Sequence, residues 1–438
     1  MVEGIMNEKM REKKLEEIKQ CPPIMTGVRL NYQGEDCRFN VYRIPLKYLV
    51  YNPYNGRIGT KVKTFEARNY QLDPENEEDV KIIESYLWES NTERNKKTKK
   101  NLIQNGQREY GIVSKNGIII DGNRRASIMN KIVKEYSQSN PSKVEHCQFF
   151  DAIILDDTAN KKDILKLETT YQMGQDEKLD YNAPEKYLKC KELMEQNFSI
   201  DEIADMMGEK KGEIQKYLEI LDLMDLYLKK YDYIDMYSML EKREGPFVDL
   251  RSYVSAYEKN KGKANWGVEE SDISELLDIS FDYIRAKYEG KDFRNIGKPM
   301  NSKGVPQSFF SDEKTWEKFK NKHYDEVETI EEDSVDNYLE KKSVGKDINV
   351  VLNNRDDEWI KKSKNILIKN MKIYGRVLDD IQAAETPAVL LRDILNSLDL
   401  IDTSQESFYS EDVYEKICDI NSTMYEFKKI YKKGKKDE

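Results

Sequence analysis

The sequence predicts an α+β fold in two unequal parts, a small mixed domain over residues 24–158 and a mostly helical chain beyond it. Two observations carry this. Strand-length apolar runs and apolar/polar alternation occur only in the first part, whereas beyond residue 159 apolar residues recur every three or four positions behind capping residues. The chain has 438 residues, enough for two or three domains. Its 35% charged residues and mean hydropathy of −0.82 give a heavily charged surface, and 28 Tyr and 13 Phe supply large apolar rings to bury.

Residues 1–23 read as a charged leader, helical or frayed, ended by Cys21-Pro22-Pro23. Val28, Leu30 and Tyr32, then Phe39 and Val41, mark one or two strands before residue 50. Residues 53–75 read as a loop around Asn55-Gly56 and Asp73-Pro74. A helix from Glu77 to Trp88 follows, with Val80, Ile83, Tyr86 and Leu87 on one face. The basic run from Arg94 to Lys100 leads into a helix ending at Gly106. Residues 110–114 and 117–121 form a hairpin across Lys115-Asn116. A helix opening at Arg124 runs to about Ser137, and residues 147–155 form one more strand.

Residues 159–230 read as a helix-turn-helix region. Asn182-Ala183-Pro184 starts a helix with proline in its first turn. Ser199 and Glu202 then form a capping box, Gly208 stops the short helix, and Ile214, Tyr217, Leu218 and Leu221 mark the next. Residues 231–330 continue as a helical extension, and residues 331–346 read as an acidic linker. Residues 347–427 form a C-terminal helical domain with one helix from Trp359 to Ala383 and another from Pro387 to Leu400, capped by Thr386. Leu390, Leu391, Ile394, Leu395 and Leu398 give the second helix a broad apolar face, for packing in a bundle or for association with another chain. Residues 428–438 read as a basic, disordered tail.

Two histidines 177 positions apart exclude a histidine metal cluster or a catalytic triad. Five scattered cysteines, with no Cys-x-x-Cys, point to reduced thiols in a cytoplasmic protein. No run is long and apolar enough for a membrane span, and the N-terminus lacks a signal-peptide core. The net charge of −10 would repel duplex DNA on average, so DNA contact has to rest on local lysines: Lys96, Lys97, Lys99 and Lys100, or Lys210, Lys211 and Lys216 on the second helix of the pair. That second helix balances three lysines with three glutamates and offers no arginine to read guanine, so phosphate contacts dominate over base readout. The same charge runs serve equally as solvated faces.

The most informative stretch is Ile118-Ile119-Ile120-Asp121-Gly122-Asn123-Arg124-Arg125-Ala126, a short strand, a glycine turn and a helix that opens with two arginines. Unpaired amides at a helix start and forked guanidinium donors suit phosphate oxygens. The plain alternative is a turn followed by solvating arginines.

In order along the chain, Ile44-Pro45-Leu46, Asn52-Pro53-Tyr54-Asn55-Gly56-Arg57, Asn105-Gly106-Gln107 and Gly122-Asn123-Arg124-Arg125 resemble the N-terminal domain of the ParB/sulfiredoxin superfamily, and residues 182–221 resemble the ParB helix-turn-helix half. The resemblance covers residues 40–225. It implies nucleoside triphosphate (CTP or ATP) bound with Mg²⁺ by Arg57, Gly106, Gln107, Gly122, Asn123, Arg124, Arg125 and Ala126, with Glu168 as the metal ligand. The family's turn commonly carries glutamate where Asn123 stands. An amide cannot act as a base, so hydrolysis is expected to be slow or absent, at most that of a slow NTPase. The implied function is a nucleotide-gated switch, weakly associated with double-stranded DNA, dimeric or partnered through the C-terminal helices. By analogy it belongs to a phage-defence or DNA-modification cassette. The alternatives are an ATP-dependent phosphotransferase or nuclease on the same fold, and a protein-interaction adaptor with a degenerate nucleotide site.

Overall fold

The computed structural model describes residues 5–32, 35–136, 138–156, 161–173, 183–259, 262–342 and 347–434. Helix α1 (Glu8–Lys19) is capped by the Asn7 side chain, which accepts from the Met10 amide. It packs on the first core through Leu15. Its buried Arg11 donates to the Asn116 carbonyl at 2.9 Å and to Glu75 at 2.6 Å. The N-terminal segment is therefore a clamp on the β-hairpin.

Strands β1 (Met25–Tyr32) and β2 (Glu35–Pro45) pair antiparallel. Helix α2 (Gly59–Glu66) lies where the sequence reads as loop. Its Thr60, Val62 and Thr64 are buried, so packing overrides a β-branched composition of poor helix propensity. Helices α3 (Glu77–Glu89) and α4 (Thr92–Asn105) follow, capped by Asn76 and Asn91 side chains. Then come β3 (Gly111–Val113), β4 (Ile119–Asp121), α5 (Asn123–Tyr136) and β5 (Phe149–Ile154).

The sheet order is β1-β2-β5-β3-β4, with β3 and β5 parallel and the other pairs antiparallel. One face packs Ile44, Val113 and Phe150 against Leu87 and Met129 of the helices. The other face packs Leu30, Ile112, Ile120 and Ile153 against Leu167 of α6 (Lys161–Met173).

Helices α7 (Ala183–Glu195), α8 (Ile200–Met207) and α9 (Lys211–Lys230) form the expected helix pair with its leading helix. The Ser199–Glu202 capping box is present, and Gly208 closes α8 in the left-handed region. Cys190, Phe198, Ile203, Met207 and Ile214 fill the space between them.

The larger core belongs to α9 with α10 (Glu244–Lys259), α11 (Glu270–Arg285), α12 (Gly290–Gly297), α13 (Glu313–Val327), α14 (Val335–Lys342) and the first part of α15 (Ile348–Asp399). Trp316, Phe309, Phe310 and Phe319 sit at its centre. Helix α16 (Glu411–Gly434) ends the described chain.

Three further expectations change here. The linker at 331–346 carries α14, which buries Val335 and Tyr338; residues 343–346 lie outside the described residues. The two helices expected on either side of Thr386-Pro387 are one 52-residue helix. A proline inside a helix costs about 3 kcal/mol, but Gln382-Ala383-Ala384 before it and Leu390-Leu391 after it favour helix on both sides. The tail expected to be disordered is helical in α16 up to Gly434, and residues 435–438 lie outside the described residues.

Candidate functional site

The turn between β4 and α5 is shaped by packing. Gly122 has φ +106, and a Cβ placed on it would lie 2.5 Å from Cζ of Phe150, a fully buried ring. Gly111 on the neighbouring strand β3 is constrained by the same ring at 2.5 Å. Phe150 thus props the turn from below and forces glycine above it. The close approach that requires Gly122 is to a side chain of this chain.

From that turn α5 starts with its first-turn amides at the end of the sheet. Asn123 is buried and fully used. Its Oδ1 accepts from the Asn52 amide at 2.9 Å and its Nδ2 donates to the Ile119 carbonyl at 2.8 Å. Its side chain locks the 52–58 loop to the turn. Ala126 is likewise internal, with its amide donating to the Gly122 carbonyl at 2.9 Å and its methyl in the core. Both side chains have packing and tethering roles.

The arginines differ. Arg125 donates to the Glu109 carbonyl at 2.5 Å and to the Glu109 carboxylate at 3.3 Å. That carboxylate is largely exposed, so a competing anion has access to the pair. Arg124 stands one position earlier, partly exposed.

Asp121, the last residue of β4, lies in the field of Arg125 and Arg57. Burial pushes its carboxyl above the ordinary range; Arg125 and Arg57 pull it back, and Glu109 adds to the rise. Tyr110 and Tyr171 feel the same carboxylate, and burial first and then Asp121 among other charges raises both phenols. Sequence reading passed over Asp121, although its position directly before the glycine was the available signal.

Gln107 is a sheet device. Its amide donates to the Glu109 and Asp151 carbonyls, each at 2.8 Å, and its Oε1 accepts from the Asp151 amide at 2.9 Å. Gly106 caps α4 with φ +70 and donates to the Leu102 carbonyl at 3.0 Å. Both hold the segment that carries Glu109 and Tyr110.

Glu168 on α6 is 3% exposed and faces Lys189 of α7 at 3.4 Å. Burial drives its carboxyl up, against the pull of Lys189 and the Gly56 amide. Lys189 is buried too, which alone would favour the neutral amine, but Glu168 and Glu192 hold it charged. One Glu168 oxygen, Oε1, has no hydrogen-bond partner. No three of His, Cys, Asp and Glu converge as a metal set among the described residues. The residues therefore fit a divalent cation only as a passenger on phosphate oxygens with a single carboxylate beneath it.

The fold thus brings four separate stretches together: the 52–58 loop with Arg57, the 107–110 segment, the 121–125 turn, and α6 with Glu168 and Tyr171.

Of the seven proposed DNA-contacting lysines, on α4 and at the start of α9, four are paired. Lys96 binds Glu93 at 2.7 Å, Lys99 binds Glu135, Lys211 binds Asp201 at 2.9 Å and Lys216 binds Glu213 at 3.4 Å. Lys97, Lys100 and Lys210 are exposed. No helix among the described residues is long and apolar enough to cross a membrane. No known family profile matches the chain, and no curated protein does.

Proposed function

We propose that this chain is a ParB-like, nucleotide-gated protein that associates weakly with double-stranded DNA. The observation that carries the reading is the glycine turn delivering Arg124 and Arg125 at the start of a 14-residue helix, with Arg57 brought alongside from 64 positions before Asp121. Helix-start amides and guanidinium forks provide what the polyphosphate of CTP or ATP needs. Mg²⁺ would enter with the phosphates and neutralise the charge they share, with Glu168 as its protein carboxylate. Asn123 is a tie between backbone segments and not a base, which supports binding without fast hydrolysis. The test is calorimetry of the wild type against the four ribonucleoside triphosphates with and without Mg²⁺. Binding of one or more, weakened about tenfold or more by Arg124→Ala, is expected. No heat with any of the four ends the proposal.

A second reading, an adaptor with a degenerate site, draws on Arg125 being engaged by Glu109. If so, Glu109→Gln leaves triphosphate binding undetectable; if the first reading holds, that substitution strengthens it.

A further inference from the structure

We propose that the cleft where the N-terminal domain meets the helical body binds an aliphatic polyamine, a chain of methylenes carrying ammonium groups. The cleft has a volume of about 610 Å³ and lies between α2 and α3 on one side and α14 with the first turn of α15 on the other. That volume falls in the roughly 300–1,000 Å³ range of small-molecule sites. The cleft is separate from the glycine turn, since none of its lining residues belongs to the 52–58 loop, the 107–110 segment, the 121–125 turn or α6.

Tyr86 of α3 is the unsatisfied group in this wall. It is only 4% exposed and lines the cleft, yet its hydroxyl makes no hydrogen bond among the described residues. Burial first, and then the charges of Asp347 and Glu89, raise its phenol, so it stays a neutral hydroxyl with a donor and an acceptor to offer. A polar group buried without a partner is costly, and a ligand that bonds to it removes that cost. The influence of Asp347 also places that carboxylate near the hydroxyl.

Charge selects a cation. Arg68, the only cationic residue among the described lining residues, is engaged by Asp336 and by the Asp232 carbonyl at 3.1 Å. Glu340 and Asp347 have no counter-ion among the described residues, so the lining carries three carboxylates against one guanidinium. Asp347 accepts from the Asn349 amide at 2.7 Å, which fixes its carboxylate at the start of α15. No three metal-ligating side chains converge among the described residues, so a bare divalent ion finds no cage. Phe65, Ile82, Leu339 and Ile348 line the same cleft with apolar surface. A polyamine uses both features, because its methylenes cover apolar surface while its ammonium groups donate to carboxylates and to the Tyr86 hydroxyl.

The test is calorimetry of spermidine into the full chain at about 150 mM salt, with no nucleotide or DNA present. One-to-one binding is expected. Glu340→Gln with Asp347→Asn should weaken it at least about tenfold, and Tyr86→Phe about three- to tenfold. Asparagine at 347 keeps the helix cap and phenylalanine at 86 removes only the unpartnered hydroxyl, so circular dichroism should be unchanged in both. N-acetylputrescine, with one ammonium group, should bind at least about tenfold more weakly than putrescine, with two. Arg124→Ala should bind spermidine as the wild type does, which keeps this site distinct from the candidate phosphate site. Undetectable binding overturns the proposal. So does binding of many equivalents, or binding indifferent to the cleft substitutions, because a net charge of −10 attracts any polycation. Displacement of spermidine by equimolar Mg²⁺ reduces the effect to charge screening and overturns it as well.

Discussion

Replacing Gly122 by alanine should separate a turn shaped by ligand from a turn shaped by packing. At φ +106 an alanine sits in a region that non-glycine residues adopt at a cost of about 1–3 kcal/mol. Its methyl would also meet Phe150 at 2.5 Å, far inside van der Waals contact. The ring is fully buried among core side chains of the sheet and helices, so relief requires repacking, at about 1–3 kcal/mol. Alanine stiffens the unfolded chain, which offsets about 0.4–1 kcal/mol. The net expectation is a loss of about 1–5.5 kcal/mol, a large share of the margin of a typical domain. Urea unfolding followed by near- and far-ultraviolet circular dichroism measures it. Phe150→Leu in the same chain should make the combined loss smaller than the sum of the two single losses, because the clash disappears with the ring edge. A Gly122→Ala protein within about 0.5 kcal/mol of wild type, or additive behaviour of the pair, refutes the packing argument.

Asn123→Ala should cost about 2–3 kcal/mol in the same unfolding assay, since the Asn52 amide and the Ile119 carbonyl lose their partner inside the fold. Asn123→Glu should destabilise without creating turnover in a phosphate-release assay. Asp121 and Glu168 both have carboxyls raised by burial, so each stabilises the fold most when protonated, an advantage present below the ordinary carboxylate pKa and lost as pH rises through the folded-state pKa. Triphosphate affinity should accordingly rise as pH falls through the Asp121 titration, and Asp121→Asn should raise it where Asp121 is ionised and flatten the dependence, as read by calorimetry across a pH series. Lys96, Lys97, Lys99 and Lys100 replaced by alanine should flatten the slope of log DNA affinity against log salt by about 0.9 for each lysine that touches phosphate; an unchanged slope excludes that helix from the contact. Asp356→Asn should cost about 3–5 kcal/mol in thermal unfolding, because the buried Arg243 and Arg285 guanidiniums lose a carboxylate at 3.0 and 2.8 Å.

The elements with local signals were legible in the sequence. Ser199, Glu202 and Gly208 define α8 by capping chemistry that acts within four residues, and the β3–β4 hairpin follows from alternation and a short turn. Helix α2 was not legible, because Thr60, Val62 and Thr64 oppose helix locally and only burial reverses that. Pro387 misled in the other direction, as a strong local breaker outvoted by its neighbours. At the candidate site the turn itself was visible, but the roles within it were not. Whether an asparagine beside a glycine faces ligand or backbone depends on Asn52, 71 positions away, and to the pull of nearby Arg125 on Asp121 the fold adds that of Arg57, 64 positions before it. Pattern reading finds residue types at a turn; long-range contacts decide which of them remain available.

Those same contacts limit what a ligand at the turn could move. The 52–58 loop runs directly into α2, and α2 is fastened to the helical body. Thr64 Oγ1 accepts from the Ser238 amide at 3.1 Å, and Arg68 pairs with Asp336 and donates to the Asp232 carbonyl at 3.1 Å. The Ser238 hydroxyl in turn donates to Asn349 in the first turn of α15. On the opposite face of the sheet, α6 covers the strands with Leu167. The N-terminal domain is therefore gripped from two sides and is not a bead on a tether. A ligand that reset Arg57 would have to shift α2 against contacts buried in the joint. Helix α15 begins at that joint and runs roughly 80 Å, over 52 residues, to an end where Leu390, Leu391, Leu395 and Leu398 stand exposed, so its first turn is fastened to the N-terminal domain while its far end is not covered.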